Sequence, residues 1–421
     1  MRIFIVLLIF FTLFYSCDKS AREVVCDYDV IVVGGGLAGL SAAHELSAQK
    51  VLVLEKDSLL GGRVRTANFM GKYYYDLGAV FALDAVYRKE VLVEDKEIIE
   101  QEPIAIYRRN ELYYGKTPLE CILQLPGIDK GKVMDLYKKK KFDPNELDQY
   151  LYDALNIQIK AVFPGALKNY NQNISAFSWV RYNSSHFEHG NYGVVHFFLK
   201  DKKFDYALNT TVEQVNDKGD FVEVVFANNG KTDTLTAKKV VVATPSFVAE
   251  KIINKKNPTC KKFISGVQYA GYHSIAVGVK QVYRNPAVSY LMPLETGFSS
   301  IVKNNTADSL YTIFQLYIAE EDFPLFKNEA DIKKKSIRII QDIWHIKEED
   351  IVFYDQFFWK HAGVVINEHY AQFWKDKALQ PSENVFLAGD YALINSEVPY
   401  GMIPAMTSGK LAAQKILKAT P

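Results

Sequence analysis

Cysteine is scarce in this chain: 421 residues carry four, Cys17, Cys26, Cys121 and Cys260. No two of them have the close spacing of a zinc or dithiol motif, so the sequence offers no metal chemistry. No complete disulfide framework follows if Cys17 is consumed. An excess of charge is missing too. Lys plus Arg number 50 and Asp plus Glu 49, for a formal net charge of +1. That excludes nucleic-acid binding of the kind that needs a marked basic stripe. The one dense basic run, Lys138 to Lys141, reads as a solvated helix end. No internal repeat is apparent. What remains is the balance of a globular protein, 48% hydrophobic and 24% charged, in a chain long enough for two packed domains.

The first residues stand apart. One positive charge at Arg2 precedes an apolar run from Ile3 to Tyr15, followed by Ser16 and Cys17. Residues 1–17 read as an export signal too short for a comfortable membrane span. Phe14 to Cys17 also resembles a bacterial lipoprotein cleavage site, where the cysteine is lipidated and becomes the new N-terminus. Three outcomes stay open: a periplasmic or cell-envelope lipoprotein held to a membrane through Cys17, a secreted protein with a plain signal peptide, and an uncleaved anchor. Each places the protein outside the cytosol.

From Asp29 to Val33 the chain is a short β-branched run that feeds a glycine turn, Gly34-x-Gly36-x-x-Gly39. Leu37, Leu40, Ala43 and Leu46 then recur at helical spacing, and Val51 to Leu54 forms a second apolar strand ending in Glu55. This is one βαβ unit. Gly34 permits the tight turn, Gly36 lets backbone approach a pyrophosphate, and Gly39 lets helix pack on strand. The helix N-terminus faces the phosphates, with Leu37 and Ala38 in its first turn. Glu55 stands where a carboxylate accepts hydrogen bonds from a ribose 2′-hydroxyl, and Lys56 lies beside it. The pattern predicts dinucleotide binding.

The residues that follow say which dinucleotide. Gly61, Gly62 and Arg63, then Val64, Arg65 and Thr66, resemble the second phosphate-contacting motif of the flavin-dependent amine oxidase family. Tyr75, Asp76, Leu77, Gly78 and Ala79 resemble its next motif, a turn whose small residues lie beside the flavin ring. Residues 86–188, rich in Tyr, Phe and Lys, read as helices and loops of a substrate domain. Thr210 to Val212, the alternation from Phe221 to Phe226, the Asn229-Gly230 hairpin turn and Val240 to Pro245 resemble the family's central module, in which Val212 packs against the adenine end. Val385 to Ala388, then Gly389 and Asp390, then a helix opening near Gly401, resemble the closing motif. There the Gly-Asp pair contacts the ribityl chain and the helix start, at Met402, points at the flavin pyrimidine.

The expected fold is α/β. An FAD-binding, Rossmann-like parallel-sheet domain is assembled discontinuously from residues 27–85, 189–250 and 376–421. An α+β substrate-binding domain is inserted from 86–188 and 251–375. The resemblance implies FAD, bound noncovalently because Glu397 to Met402 contains no cysteine for a thioether, and a small-molecule substrate, an amine or a related C–H donor whose hydride goes to flavin N5. Two alternatives are a desaturase-like or porphyrinogen-oxidase-like flavoprotein that passes electrons to a quinone, and a cell-envelope protein that keeps the nucleotide without turnover. Many family members carry a lysine on a substrate-domain strand. Here Tyr272, His273 and Ser274 occupy that stretch, so Ser274 and Tyr400, the latter an aromatic wall before the closing helix, are the candidate catalytic residues.

Overall fold

The computed structural model describes residues 25–79, 82–83, 98–100, 103–139, 143–162, 165–169, 184–187, 189–254, 256–306, 308–373, 380–393 and 401–419. The N-terminal residues read as an export signal, with Cys17, as well as Lys140, Lys141 and Glu397 to Tyr400, lie outside these residues.

Strand β1, Tyr28–Val33, is the centre of the first sheet. It pairs in parallel with β2, Val51–Leu54, on one side and with the strand Lys231–Val242 on the other. Asp205–Ala207 continues the parallel order beyond β2, and Val385–Leu387 pairs in parallel with Val240 to Val242. Three distant stretches of chain thus build one sheet. Val30 to Val32 are fully buried, as expected of a β-branched run covered on both faces. One face packs Val30 and Val32 against α1, Leu37–Glu45, and against the helices Gly193–Lys200 and Met402–Ala419. The other packs Ile31 and Val33 against Val212, Val215 and the helix Ser246–Ile252. The hairpin expected at Asn229-Gly230 is present, with φ of 49° and 75°.

The second sheet is antiparallel for most of its width. Its order runs Ile351–Val365, Gln268–Lys280, Tyr311–Ala319, Ser300–Asn305, Tyr290–Pro293, Ile104–Arg108 and Glu111–Gly115. Helices including Gln149–Val162 cover one face and Glu329–Trp344 the other. The last two strands correct the expectation of helices and loops throughout residues 86–188. Ile104, Ala105 and Ile106 are all buried, so the run lacks the alternation that marks a strand. Its turn uses Arg109 and Asn110, both at positive φ, rather than an Asn-Gly pair.

Small residues allow the layers to close. A Cβ on Gly39 would stand 1.9 Å from the Gly34 carbonyl oxygen, and one on Gly409 would stand 2.0 Å from that of Ala38. The closing helix therefore lies directly on α1, and the Ser41 hydroxyl donates to the Met406 carbonyl at 2.8 Å. Cys121 and Cys260 are free and buried, and burial pushes their thiols up to about 12. Among the described residues no helix is long and apolar enough to cross a membrane.

Gly409→Ala should lower the unfolding free energy by about 1 to 3 kcal/mol, because one methyl group must push two backbones apart. Denaturant unfolding checks this, and an unchanged midpoint would show that the helices can separate freely.

Candidate functional site

The glycine turn brings backbone, and no side chain, to the end of β1. Gly34 has φ +104°, and a Cβ there would lie 2.8 Å from the Ala243 oxygen. Gly36 precedes α1 without a side-chain cap, and no acidic residue occupies the first turn. The first-turn N–H groups at Leu37 and Ala38 are therefore left to a ligand or solvent. Gly36 also pairs with Gly61, and a Cβ on Gly62 would come within 3.2 Å of the Gly36 Cα. The two glycine segments touch through backbone alone. Glu55 is buried behind them. Its Oε2 accepts the Gly35 N–H at 2.6 Å and its Oε1 the Asp57 N–H at 2.9 Å. A carboxylate has about four acceptor sites, so both oxygens keep capacity for ribose hydroxyls. Lys56 is exposed, while Val212 is buried two residues beyond Thr210, whose N–H donates to the Glu55 carbonyl at 2.8 Å.

Arg63 and Asp390 are 327 positions apart and meet here. The Arg63 Nη2 donates to Asp390 Oδ1 at 2.7 Å, and its Nη1 to the Ala362 carbonyl at 2.8 Å. Asp390 is 1% exposed, yet its Oδ2 has no partner among the described residues. A buried carboxylate oxygen left open in this way suits a hydroxyl donor such as a ribityl chain. Gly389, at φ +137°, donates its N–H to the Ser408 hydroxyl at 2.8 Å, which fixes the pair to the closing helix. Met402 begins that helix and is buried. The open first turn of α1, the glycine contact without Cβ atoms and the unpartnered Oδ2 together fit the dinucleotide that the sequence motifs imply.

The turn Leu77 to Ala79 is held from every side. The Leu77 and Gly78 N–H groups donate to the Arg65 carbonyl, and the Ala79 N–H to that of Arg63. A Cβ on Gly78 would stand 2.0 Å from the Arg63 oxygen. The Trp359 indole donates to the Leu77 carbonyl at 2.6 Å and the Asn191 amide to the Ala79 carbonyl at 2.7 Å. Asp76 is buried beside them. Its Oδ1 accepts from the Thr66 hydroxyl at 2.5 Å and the Asn191 N–H at 2.9 Å, while its own N–H donates to Gln315 Oε1. Sequence reasoning gave Asn191 and Gln315 no role and read Trp359 only as aromatic, apolar surface. No motif surrounds them, and only their contacts mark them.

Ser274 lies on the same face of the second sheet. It pairs across the strands with Tyr317 and Phe357, is 1% exposed, and its Oγ has no partner among the described residues. Tyr272 stacks on Tyr317 with ring centroids 5.8 Å apart, and Phe357 packs on Trp359 at 4.7 Å. His273 points to the opposite face, stacked on Phe358 at 4.7 Å, and burial lowers its pKa. The other candidate, Tyr400, is outside the described residues.

Removing the Arg63 guanidinium should leave Asp390 buried without its donor. Arg63→Ala is expected to cost about 1 to 3 kcal/mol of apoprotein stability, and Asp390→Asn less, because the amide is neutral. Thermal unfolding of the two variants and their double mutant measures this, and a double mutant whose loss equals the sum of the two single losses would refute the coupling.

Comparison with known proteins agrees with this geometry. The NAD(P)-binding Rossmann-like domain profile matches residues 32–90, and the flavin containing amine oxidoreductase profile matches residues 149–417. The chain is 54% identical to a nicotine dehydrogenase of Pseudomonas putida over 48 residues, 11% of this chain and 10% of that protein. It is 36% identical to a flavin-containing amine oxidase of Danio rerio over 98 residues, 22% of this chain and 19% of that one. These matches span a fifth or less of the relatives' own lengths. Its fold is similar to that of a cyclohexylamine oxidase from Brevibacterium oxydans, with a TM-score of 0.75 at 14% identity over 93% of this chain and 99% of the other. With the family profile covering more than half its length, the chain belongs to the flavin-containing amine oxidoreductase family, and FAD is its cofactor.

Proposed function

We propose that the protein is an FAD-dependent oxidoreductase that oxidises a small amine by removing hydride from the carbon next to nitrogen. The observation that carries this reading is the convergence of the glycine turns, the Arg63–Asp390 pair and the Leu77 to Ala79 turn against one aromatic sheet face. FAD, when bound noncovalently, supplies the acceptor for the hydride. Gly36, Gly62 and the first turn of α1 would hold the phosphates. Glu55 would take the adenosine ribose, Val212 the adenine side, and Asp390 Oδ2 the ribityl chain. The N-terminus of the closing helix, at Met402, would favour negative charge on the pyrimidine. On the substrate side Tyr272, Tyr317, Phe357 and Trp359 offer apolar walls that exclude water and guide an amine. The similarity to a nicotine dehydrogenase and to flavin-containing amine oxidases supports an amine.

Ser274 stands where many relatives place a lysine, and its hydroxyl brings no positive charge. Lys303, a buried lysine of the same sheet, does not replace it. It donates to the Tyr283 and Pro286 carbonyls and packs near Trp344 on the other face, where burial lowers it to about 8. Reaction with dioxygen should accordingly be slow. The protein should purify yellow, acid should release its flavin, and an anaerobic screen of amines should find one that bleaches the flavin band. Stopped-flow reoxidation should then be faster in Ser274→Lys than in the native protein. An enzyme bleached by no amine argues against the reading, and native reoxidation that Ser274→Lys leaves unchanged removes Ser274 from the site.

We also read residues 1–17 as an export signal, with lipidation of Cys17 as the reading to test first. Cys17→Ala should then abolish membrane association. A mature N-terminus that begins after Cys17 and carries no lipid would leave simple secretion.

A further inference from the structure

We propose that Asp76 is a positioning residue that works as a neutral acid: protonated, it fixes the flavin-facing turn, and its ionisation opposes FAD binding. The inference rests on the assignment of FAD to this site and goes beyond it, since Asp76 has no part in the roles given above.

The geometry places Asp76 at a junction of three parts of the chain. It ends the strand Tyr73–Asp76 and directly precedes Leu77. Oδ1 takes the hydroxyl of Thr66 and the N–H of Asn191, and the same Asn191 holds the Ala79 carbonyl, so the carboxyl reaches both ends of the turn. The Asp76 N–H, donated to Gln315, fastens that turn to the second sheet. Gly190 shows how tightly the junction is built. It has φ +78°, and a Cβ there would lie 2.2 Å from the Thr66 methyl group.

No cation compensates this carboxyl among the described residues. Thr66, Asn191 and Gln315 are neutral. Arg63 and Arg65 present their carbonyls to the turn, while their guanidinium groups donate to Asp390 and Ala362 in one case and to Gly62 and Asp57 in the other. The titratable group facing Asp76 from the second sheet is the Tyr317 hydroxyl, and Tyr75 on its own strand turns away to Asp355. His189 packs on Tyr74 at 5.3 Å, away from the junction. Oδ2 receives no donor from the described residues. Burial accordingly raises Asp76 from 3.8 to about 7, and the Thr66 and Asn191 hydrogen bonds offset only part of that rise. An ionised Asp76 would be an uncompensated charge in a dry site and would add to the negative charge of the dinucleotide phosphates, so ionisation and FAD binding oppose one another.

The sign follows from a folded value above the unfolded one. The stability that the neutral acid contributes is full below the ordinary value of 3.8 and is lost as pH rises through about 7. The thermal midpoint of the apoprotein should therefore fall over that interval, and Asp76→Asn should remove the fall. For FAD, the dissociation constant should rise by up to about tenfold per pH unit above the break near neutrality, and should stay level in Asp76→Asn. Thr66→Val provides a second handle if the asparagine variant does not fold. It deletes a hydrogen bond that favours the carboxylate, so the break should move to higher pH.

A merely structural Asp76 would shift midpoints without moving or removing the break. A level pH profile in the native protein, an equal slope in Asp76→Asn, or an unmoved break in Thr66→Val would each overturn the proposal. Failure of every amine to bleach the flavin, with the pH break in FAD affinity intact, would instead overturn the proposed reaction and leave Asp76 standing.

Discussion

A carboxylate that is 1% exposed must find a partner, and for Asp390 that partner is the Arg63 guanidinium at 2.7 Å. The cost of leaving such a charge unpaired in the interior is several kcal/mol, which ties the C-terminal strand and the second glycine segment into one place. Everything in the site depends on that meeting. Arg63 also donates to the Ala362 carbonyl on the second sheet, so one side chain joins the segment after the parallel sheet's Val385–Leu387 strand to the antiparallel sheet. Among the described residues one oxygen of Asp390 accepts from Arg63 and the other has no donor.

Around this pair the protein uses close backbone approach in place of side chains. Gly39 and Gly409 stack α1 between the glycine turn and the closing helix, while Gly36 and Gly62 leave a surface without Cβ atoms for a dinucleotide. Hydrogen bonds then supply what glycines cannot. Leu77 to Ala79 would be a loose loop on sequence alone, but Arg63, Arg65, Asn191 and Trp359 hold its polar groups. A turn so constrained can present small residues to a flat cofactor without paying ordering entropy on binding.

The nucleotide unit was legible because it is local. The β-branched run, the spacing of Gly34, Gly36 and Gly39, and Glu55 all fall within one βαβ unit, where strand, turn and helix are dictated by residues a few positions apart. The closing helix was legible for the same reason, since Met402, Met406, Gly409, Ala413 and Ile416 repeat at helical spacing. The hairpin at Ile104 to Gly115 was not, because a strand buried on both faces shows no alternation and its turn lacks the usual residues. Asn191, Gln315 and Trp359 were hidden for a different reason: the contacts that tie them to the turn reach residues more than 100 positions away.

The sequence by itself determined the cofactor class and the order of the parts, since glycines at fixed spacing, a strand before them and an acid after them admit few chemistries. Tertiary structure alone decided which residues share a site. The Arg63–Asp390 pair, the Asp390 oxygen without a donor among the described residues and the burial of Asp76 are properties of desolvated groups, and desolvation is set by what the folded chain brings near, not by neighbours along it.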